Sequence, residues 1–139
     1  MKLRIYTDGG ARNNPGPGAI GALICNEDDE ELIRHEDCIG NATNNIAEYC
    51  ALIAGLEIAL TLNPTDVQCF LDSELIVKQL QGVYRVKNEH MQTLYQEVKQ
   101  KETNFKNISY TYLPRNHAKM KIADALVNHA LDAEKRKKE

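Results

Sequence analysis

Arg4-Ile5-Tyr6-Thr7-Asp8-Gly9-Gly10-Ala11-Arg12-Asn13-Asn14-Pro15-Gly16-Pro17-Gly18 is the stretch around which the rest of the chain is read. Leu3, Ile5 and Thr7 alternate with Arg4 and Tyr6 in a β-strand pattern, and a loop of glycine, asparagine and proline follows at once. Asp8 is therefore expected at the C-terminal tip of the strand, where a carboxylate faces a ligand while the strand holds it still.

Working outward, Gly18 to Asn26 reads as a second strand and Glu31 to Gly40 as a third, half-exposed antiparallel partner. The acidic turn Asn26-Glu27-Asp28-Asp29-Glu30 lacks the ligand spacing and mid-loop glycine of a calcium loop, so it reads as a hairpin tip. After Asn41-Ala42-Thr43-Asn44-Asn45, a turn and helix-start signal, Ile46 to Leu62 is apolar nearly all round, as a buried helix is. Its two acids, Glu48 and Glu57, lie roughly 900° apart at about 100° per residue, on opposite sides. One can reach solvent; the other, Glu48 next to the asparagine-rich loop, must be held by something.

Asn63-Pro64-Thr65 stops that helix, and Val67 to Asp72 reads as a fourth strand that again ends in an aspartate. Ser73 can cap a short helix from Glu74 to Gln81, which Gly82 breaks. Lys87 to Thr103 is an amphipathic helix, Ile108 to Leu113 a fifth strand ended by Pro114, and Lys119 to Glu134 the last helix. No internal repeat, linker or second boundary is visible, so residues 1–139 read as one domain.

A long helix between strands one and four implies a right-handed parallel crossover that makes those strands neighbours. Neighbouring strands lie about 4.8 Å apart, so Asp8 and Asp72 at corresponding tips bring two carboxylates within a few ångströms. Two such anions repel unless a cation intervenes. Oxygen-only ligands at an open site select magnesium or manganese. Adding Glu48 and one acid of the last helix allows two ions about 3.5–4 Å apart, the arrangement for in-line displacement at phosphorus.

Composition sets limits on partners and compartment. The chain has 139 residues, 42% hydrophobic and 27% charged, with a net charge of −3, an ordinary globular balance. A negative sum argues against a nucleic-acid partner, but neutralising four acids with bound cations would raise the balance from −3 to +1. Lys135-Arg136-Lys137-Lys138 reads as a frayed, solvated helix end. Cys25, Cys38, Cys50 and Cys69 are spread out without a CxxC pair and read as buried free thiols. With no signal peptide and no apolar run of membrane length, the expectation is a soluble cytoplasmic protein with no membrane contact.

Thr7-Asp8-Gly9-Gly10 with Asn14-Pro15-Gly16, Thr43-Asn44-Asn45 with Ala47-Glu48-Tyr49, Asp72-Ser73-Glu74-Leu75-Ile76-Val77, and Ala123-Asp124-Ala125-Leu126 together resemble type 1 ribonuclease H over essentially the whole chain. The resemblance implies an α/β, ribonuclease H-like fold: a central five-stranded mixed sheet in order 3-2-1-4-5, strand two antiparallel to the others, helices on both faces. It implies endonucleolytic hydrolysis of the RNA strand of RNA–DNA hybrids, leaving 3′-hydroxyl and 5′-phosphate ends. Asp8, Glu48, Asp72 and Asp124 are then the catalytic metal ligands for two Mg2+ ions, with Mn2+ as a substitute and Asp8 shared by both. Gly9, Gly10, Asn14, Thr43, Asn44 and Asn45 match positions that contact the hybrid, and Arg115 is a further candidate for phosphate. His117, seven residues before Asp124, matches a loop histidine credited with product release or proton transfer. Arg85, Lys87, Lys119 and Lys121 are weaker phosphate candidates.

Taken singly, Asp8 reads equally well as a turn residue, Asp72 as a helix cap, and Asp124 as an early-helix acid. The asparagines and Thr43 can shape turns and cap a helix, and His117 can be a surface histidine. The loop before Asp124 departs from the family's two variants, because Met120 stands where the variant without the histidine carries an asparagine. Gly82-Val83-Tyr84-Arg85-Val86-Lys87 leaves no room for the basic protrusion of some members, and no separate hybrid-binding domain is expected. A monomeric enzyme with modest, strongly salt-dependent hybrid affinity is expected. The rivals are a silent hybrid-binding module, a DNA nuclease of the same superfold and a reverse transcriptase fragment.

Overall fold

Leu3, Ile5 and Thr7 of the first strand are fully buried against one layer of helices, while Tyr6 packs on the opposite face with Leu23, Cys25 and Met120. That two-sided burial makes β1 the central strand. A computed structural model describes all of residues Met1–Glu139. The elements are β1 (Lys2–Ala11), β2 (Gly16–Asn26), β3 (Glu31–Ala42), α1 (Asn44–Thr61), β4 (Asp66–Leu71), α2 (Glu74–Leu80), α3 (Glu89–Glu102), β5 (Asn107–Tyr112) and α4 (Ala118–Lys138). They form one five-stranded sheet in the order β3-β2-β1-β4-β5. β2 runs antiparallel to β1 and β3, whereas β1, β4 and β5 are parallel. The α/β order expected from the sequence is thus the observed one.

α1 is the crossover between β3 and β4 and forms much of the main core. Tyr49, Leu52 and Leu56 are fully buried, each leucine contributing roughly 2 kcal/mol by burial. The Thr43 hydroxyl starts the helix by accepting from the Ile46 amide at 3.2 Å. The Tyr49 hydroxyl, which cannot be buried unpaired, donates to Gln79 Oε1 at 2.7 Å. Glu57, on the far side, reaches solvent and pairs with Lys101 at 3.4 Å. On the other face α4 lies so close to β2 that a Cβ on Gly21 would come within 2.4 Å of the Ala123 carbonyl oxygen. This near-contact of backbones sets how near Asp124 comes to the sheet.

Several boundaries differ from the sequence expectation. β1 does not end at Asp8; Gly9, Gly10 and Ala11 stay paired with Ile20, Ala19 and Gly18. The antiparallel partner carries the two glycines past the point where local signals place a turn, and the chain turns only after Ala11. The pairing of β1 with β4 nevertheless stops at Tyr6 opposite Phe70. The same register carried two residues further sets Asp8 opposite Asp72, in the notch left where β4 ends at Leu71.

α3 begins at Glu89 because the Asn88 side chain caps it. α4 continues to Lys138, so the basic run is helical rather than frayed. Cys25 and Cys69 are buried free thiols, but Cys38 and Cys50 are only partly covered. The acidic turn is the expected hairpin tip, with Asn26 Oδ1 accepting from the Asp28 and Glu30 amides. No helix is long and apolar enough to cross a membrane.

Candidate active site

Three carboxylates from three elements converge where β1 outruns β4. Asp8 comes from β1, Glu48 from the first turns of α1, and Asp72 from the residue after β4. Asp8 and Glu48 are each 6% exposed, and one oxygen from each of the three acids lies within 4.8 Å of the others. Asp124, on the second turn of α4, lines the same hollow of about 350 Å3 together with Gly9, Gly10, Arg12, Asn44, Asn45 and Arg115. A larger hollow of about 900 Å3 around Tyr84, between α2 and α3, shares no residue with it and holds no such cluster of acids.

The electrostatics follow from this crowding. Burial, then the charge of Asp72, pushes the Asp8 carboxyl up to about 7. Burial, then the charges of Asp8 and Asp72, pushes Glu48 well above the usual carboxylate range. Glu48 Oε1 accepts from the Gly9 amide at 3.3 Å, which ties α1 to β1. Glu48 Oε2 is buried with no hydrogen-bond partner in the chain. An orphaned carboxylate oxygen beside two further acids costs free energy unless a cation meets it. Oxygen-only donors of this number and charge suit a hard divalent cation, so the residues present fit one.

A titration consequence follows. In metal-free protein Asp8 binds its proton more tightly folded than unfolded, so folding stability is present at acid pH and is lost as pH rises from about 4 through about 7. Thermal melts in chelator should give a higher Tm at pH 5 than at pH 8, and millimolar Mg2+ should remove most of the difference. A Tm that climbs with pH in chelator would contradict the assigned crowding.

The other expected site residues divide into two groups. Asn14 Oδ1 accepts from the Asn44 amide and Asn44 Oδ1 from the Ala11 amide, both at 2.9 Å. Backbone N–H groups only donate, so both oxygens are committed to stitching the β1–β2 loop to α1. Each side chain is left with its Nδ2 donors. Gly10 opens on the hollow, whereas Gly9 is there because a Cβ would strike the Ala47 carbonyl oxygen at 2.1 Å. Arg115, with its side chain 81% exposed, stands 3.5 Å from Asp72 Oδ2, a contact weak enough to open.

Asn14, Thr43 and His117 do not line the hollow. Thr43 is the α1 cap. His117 caps α4, its Nδ1 accepting from the Lys119 amide at 3.2 Å, and its ring stacks on Tyr6 with centroids 6.1 Å apart. Sequence reasoning took in the backbone of the Gly9 to Arg12 turn but passed over the Arg12 side chain and Asn128. Arg12 lines the hollow and pairs with Asp132 at 2.7 Å. Asn128 lines it one turn beyond Asp124, to whose backbone oxygen it donates at 3.1 Å. The i, i+4 spacing from Asp124 was the available signal for Asn128.

Comparison with known proteins agrees with this geometry. Residues 6–130 match the family model described as reverse transcriptase-like. The bifunctional protein Rv2228c of Mycobacterium tuberculosis is 40% identical over 134 residues, 96% of this chain but only 36% of that protein. The chain thus spans about a third of that curated relative. The solved N-terminal ribonuclease H domain of the same protein superposes with a TM-score of 0.93 at 38% identity, covering 100% of this chain and 99% of that one. Ribonuclease HI of Halobacterium salinarum is 39% identical over 131 residues, 94% of this chain and 65% of the relative. The structure of LC11-RNase H1 in complex with RNA/DNA hybrid matches with a TM-score of 0.90 and 39% identity over 95% of this chain and 98% of that chain. Order of elements, sheet register and the gathered carboxylates place this chain in the type 1 ribonuclease H family of the ribonuclease H-like superfamily.

Proposed function

We propose that the chain is an endoribonuclease that hydrolyses the RNA strand of RNA–DNA hybrids, using Mg2+ held by Asp8, Glu48, Asp72 and Asp124, with Mn2+ as a substitute. The observation that carries it is the buried convergence of Asp8, Glu48 and Asp72, with Glu48 Oε2 left without a partner. When bound, two such ions acidify an attacking water and stabilise the departing 3′-oxygen, giving 3′-hydroxyl and 5′-phosphate ends. The LC11 relative solved with RNA/DNA hybrid supports that substrate.

The chain's own residues bind and orient. Asp8, central among the acids, would be a principal ligand of the bound cations. Glu48, clamped through Oε1 to β1, keeps Oε2 for the site. The Nδ2 groups of Asn14 and Asn44, joined by Asn45 and the backbone of Gly10, donate to acceptors of the hybrid's minor groove and ribose. Arg115 leaves Asp72 to meet a phosphate. Thr43 supports Asn44 and Asn45 by fixing the start of α1. His117 keeps a secondary role at the mouth of the loop before Asp124. The 139 residues act as one domain and as a monomer, since one chain supplies every residue named here. The four free cysteines support a reducing, cytoplasmic setting.

Incubating an end-labelled hybrid with the protein and Mg2+ tests the reading. Cleavage confined to the RNA strand and abolished by chelator is expected; equal cleavage of duplex DNA, or none of the hybrid, would overturn it. Asn44→Asp keeps the oxygen that accepts from Ala11 and removes the amide donors. It also brings a further negative charge to the hollow, so KM should rise about tenfold and the metal-free Tm should fall slightly at neutral pH. An unchanged KM would remove Asn44 from substrate recognition.

A further inference from the structure

We propose that the C-terminal end of α4, with Arg12, forms a phosphate track that runs from the edge of the acidic hollow and grips the nucleic-acid backbone beyond the carboxylates. The proposal rests on the hybrid reading above and extends it to a surface with no part in the chemistry.

The track begins inside the site. Asp124, Asn128 and Leu131 line the hollow at i, i+4 and i+7 of α4. The next position of that stripe is i+11, Lys135, because eleven residues make three turns plus about 20°. Lys135 therefore faces the same way as Asp124, about 16 Å further along the axis at 1.5 Å per residue. α4 stays helical to Lys138, so the cations sit on a rigid rod.

Arg12 joins the two ends. It lines the hollow and holds Asp132, one turn before Arg136, at 2.7 Å. Asp132 is kept below the usual carboxylate range by Arg12 first, with Arg136 and Lys135 adding to it. Three cations thus gather around a single carboxylate. Lys135, Arg136 and Lys137 are exposed and form no ion pair of their own, whereas Lys138 reaches Glu134 at 3.7 Å. Free, fixed cations beside an acidic cleft match a polyanion whose scissile phosphate must enter that cleft. On a chain of net charge −3 without a basic protrusion, they supply attraction the site itself lacks. At about 3.4 Å per phosphate along one strand, 16 Å corresponds to roughly five phosphates from the point of cleavage.

The test uses the full chain and two duplexes in which a short ribonucleotide patch fixes the cut. One carries a long flank, about ten base pairs, on the 3′ side of the cut and a short one, about three, on the other; the second reverses the flanks. With Lys135→Gln/Arg136→Gln, kcat/KM should fall about tenfold at physiological salt on one of these duplexes and stay within about twofold on the other. On the sensitive duplex the slope of log kcat/KM against log salt should become shallower by about two. The variant should melt with wild-type Tm, and the swapped pair Lys135→Arg/Arg136→Lys should restore the rate. Equal losses on both duplexes, or no loss on either while wild type cuts both, would overturn the track and leave the hybrid reading intact. Failure of wild type to cut either duplex would instead sink the hybrid reading, and the track with it.

Discussion

Asp8→Asn should lower hybrid cleavage by at least about 10³-fold in kcat while raising the melting temperature of the metal-free protein. Both effects come from one cause. Asp8 is 6% exposed, opposite Asp72 in register and within 4.8 Å of Glu48 and Asp72 oxygens. An amide of the same shape removes one of the crowded negative charges, so the apo protein gains on the order of 1–3 kcal/mol near pH 8. The neutral amide is also a poor ligand for a hard cation, so the site loses one of the acids proposed to hold it. Activity and stability should therefore move in opposite directions. An active variant would defeat the metal assignment, and an inactive one that melts lower would point to a damaged fold instead of a missing ligand.

Gly9→Ala should be strongly disruptive, and Gly10→Ala should be nearly silent in stability. At Gly9 a Cβ meets the Ala47 carbonyl oxygen at 2.1 Å and the Glu48 amide nitrogen at 2.7 Å. The first turn of α1 must then move away from β1, taking Glu48 with it and breaking the bond from the Gly9 amide. A loss of about 3 kcal/mol or more is expected from overpacking, with kcat down roughly 100-fold as Glu48 shifts by an ångström or so. At Gly10 the nearest atoms, Asn44 Oδ1 and Val127 Cγ1, are both 3.9 Å away, an ordinary contact. Chemical denaturation and rates on the two variants check this; the reverse ranking would mean that β1 and α1 do not meet as described.

Much of this was legible in the sequence because it is carried by patterns that propagate. An apolar helix between two apolar strands forces a parallel crossover, and the crossover brings Asp8 and Asp72 together. Glu48, an acid on an otherwise apolar helix, had to be held by something, and the site is where it is held.

What escaped is what depends on atoms far apart in sequence. The strand character of Gly9 and Gly10 is imposed by β2, against local turn signals. The need for a glycine at position 9 so that α1 can pack on β1 also lies outside any local pattern. The commitment of the Asn14 and Asn44 oxygens spans about thirty residues of chain. His117 as a helix cap defies expectation, since hydroxyl, carboxylate and amide side chains usually fill that position. Lys135 to Lys138 suit the negative end of a helix dipole, but a charge run alone does not say whether that end is ordered; the helix persists there because Ala130 and Leu131, one turn earlier, are buried on the sheet.

The most direct measurement is manganese anomalous scattering from crystals of the wild-type protein soaked in Mn2+. A peak is expected among Asp8, Glu48 and Asp72, bound through carboxylate oxygens and weakened or lost in Asp8→Asn. Strong manganese peaks only elsewhere, with those three carboxylates ordered and unliganded, would contradict the claim that they gather to hold divalent cations.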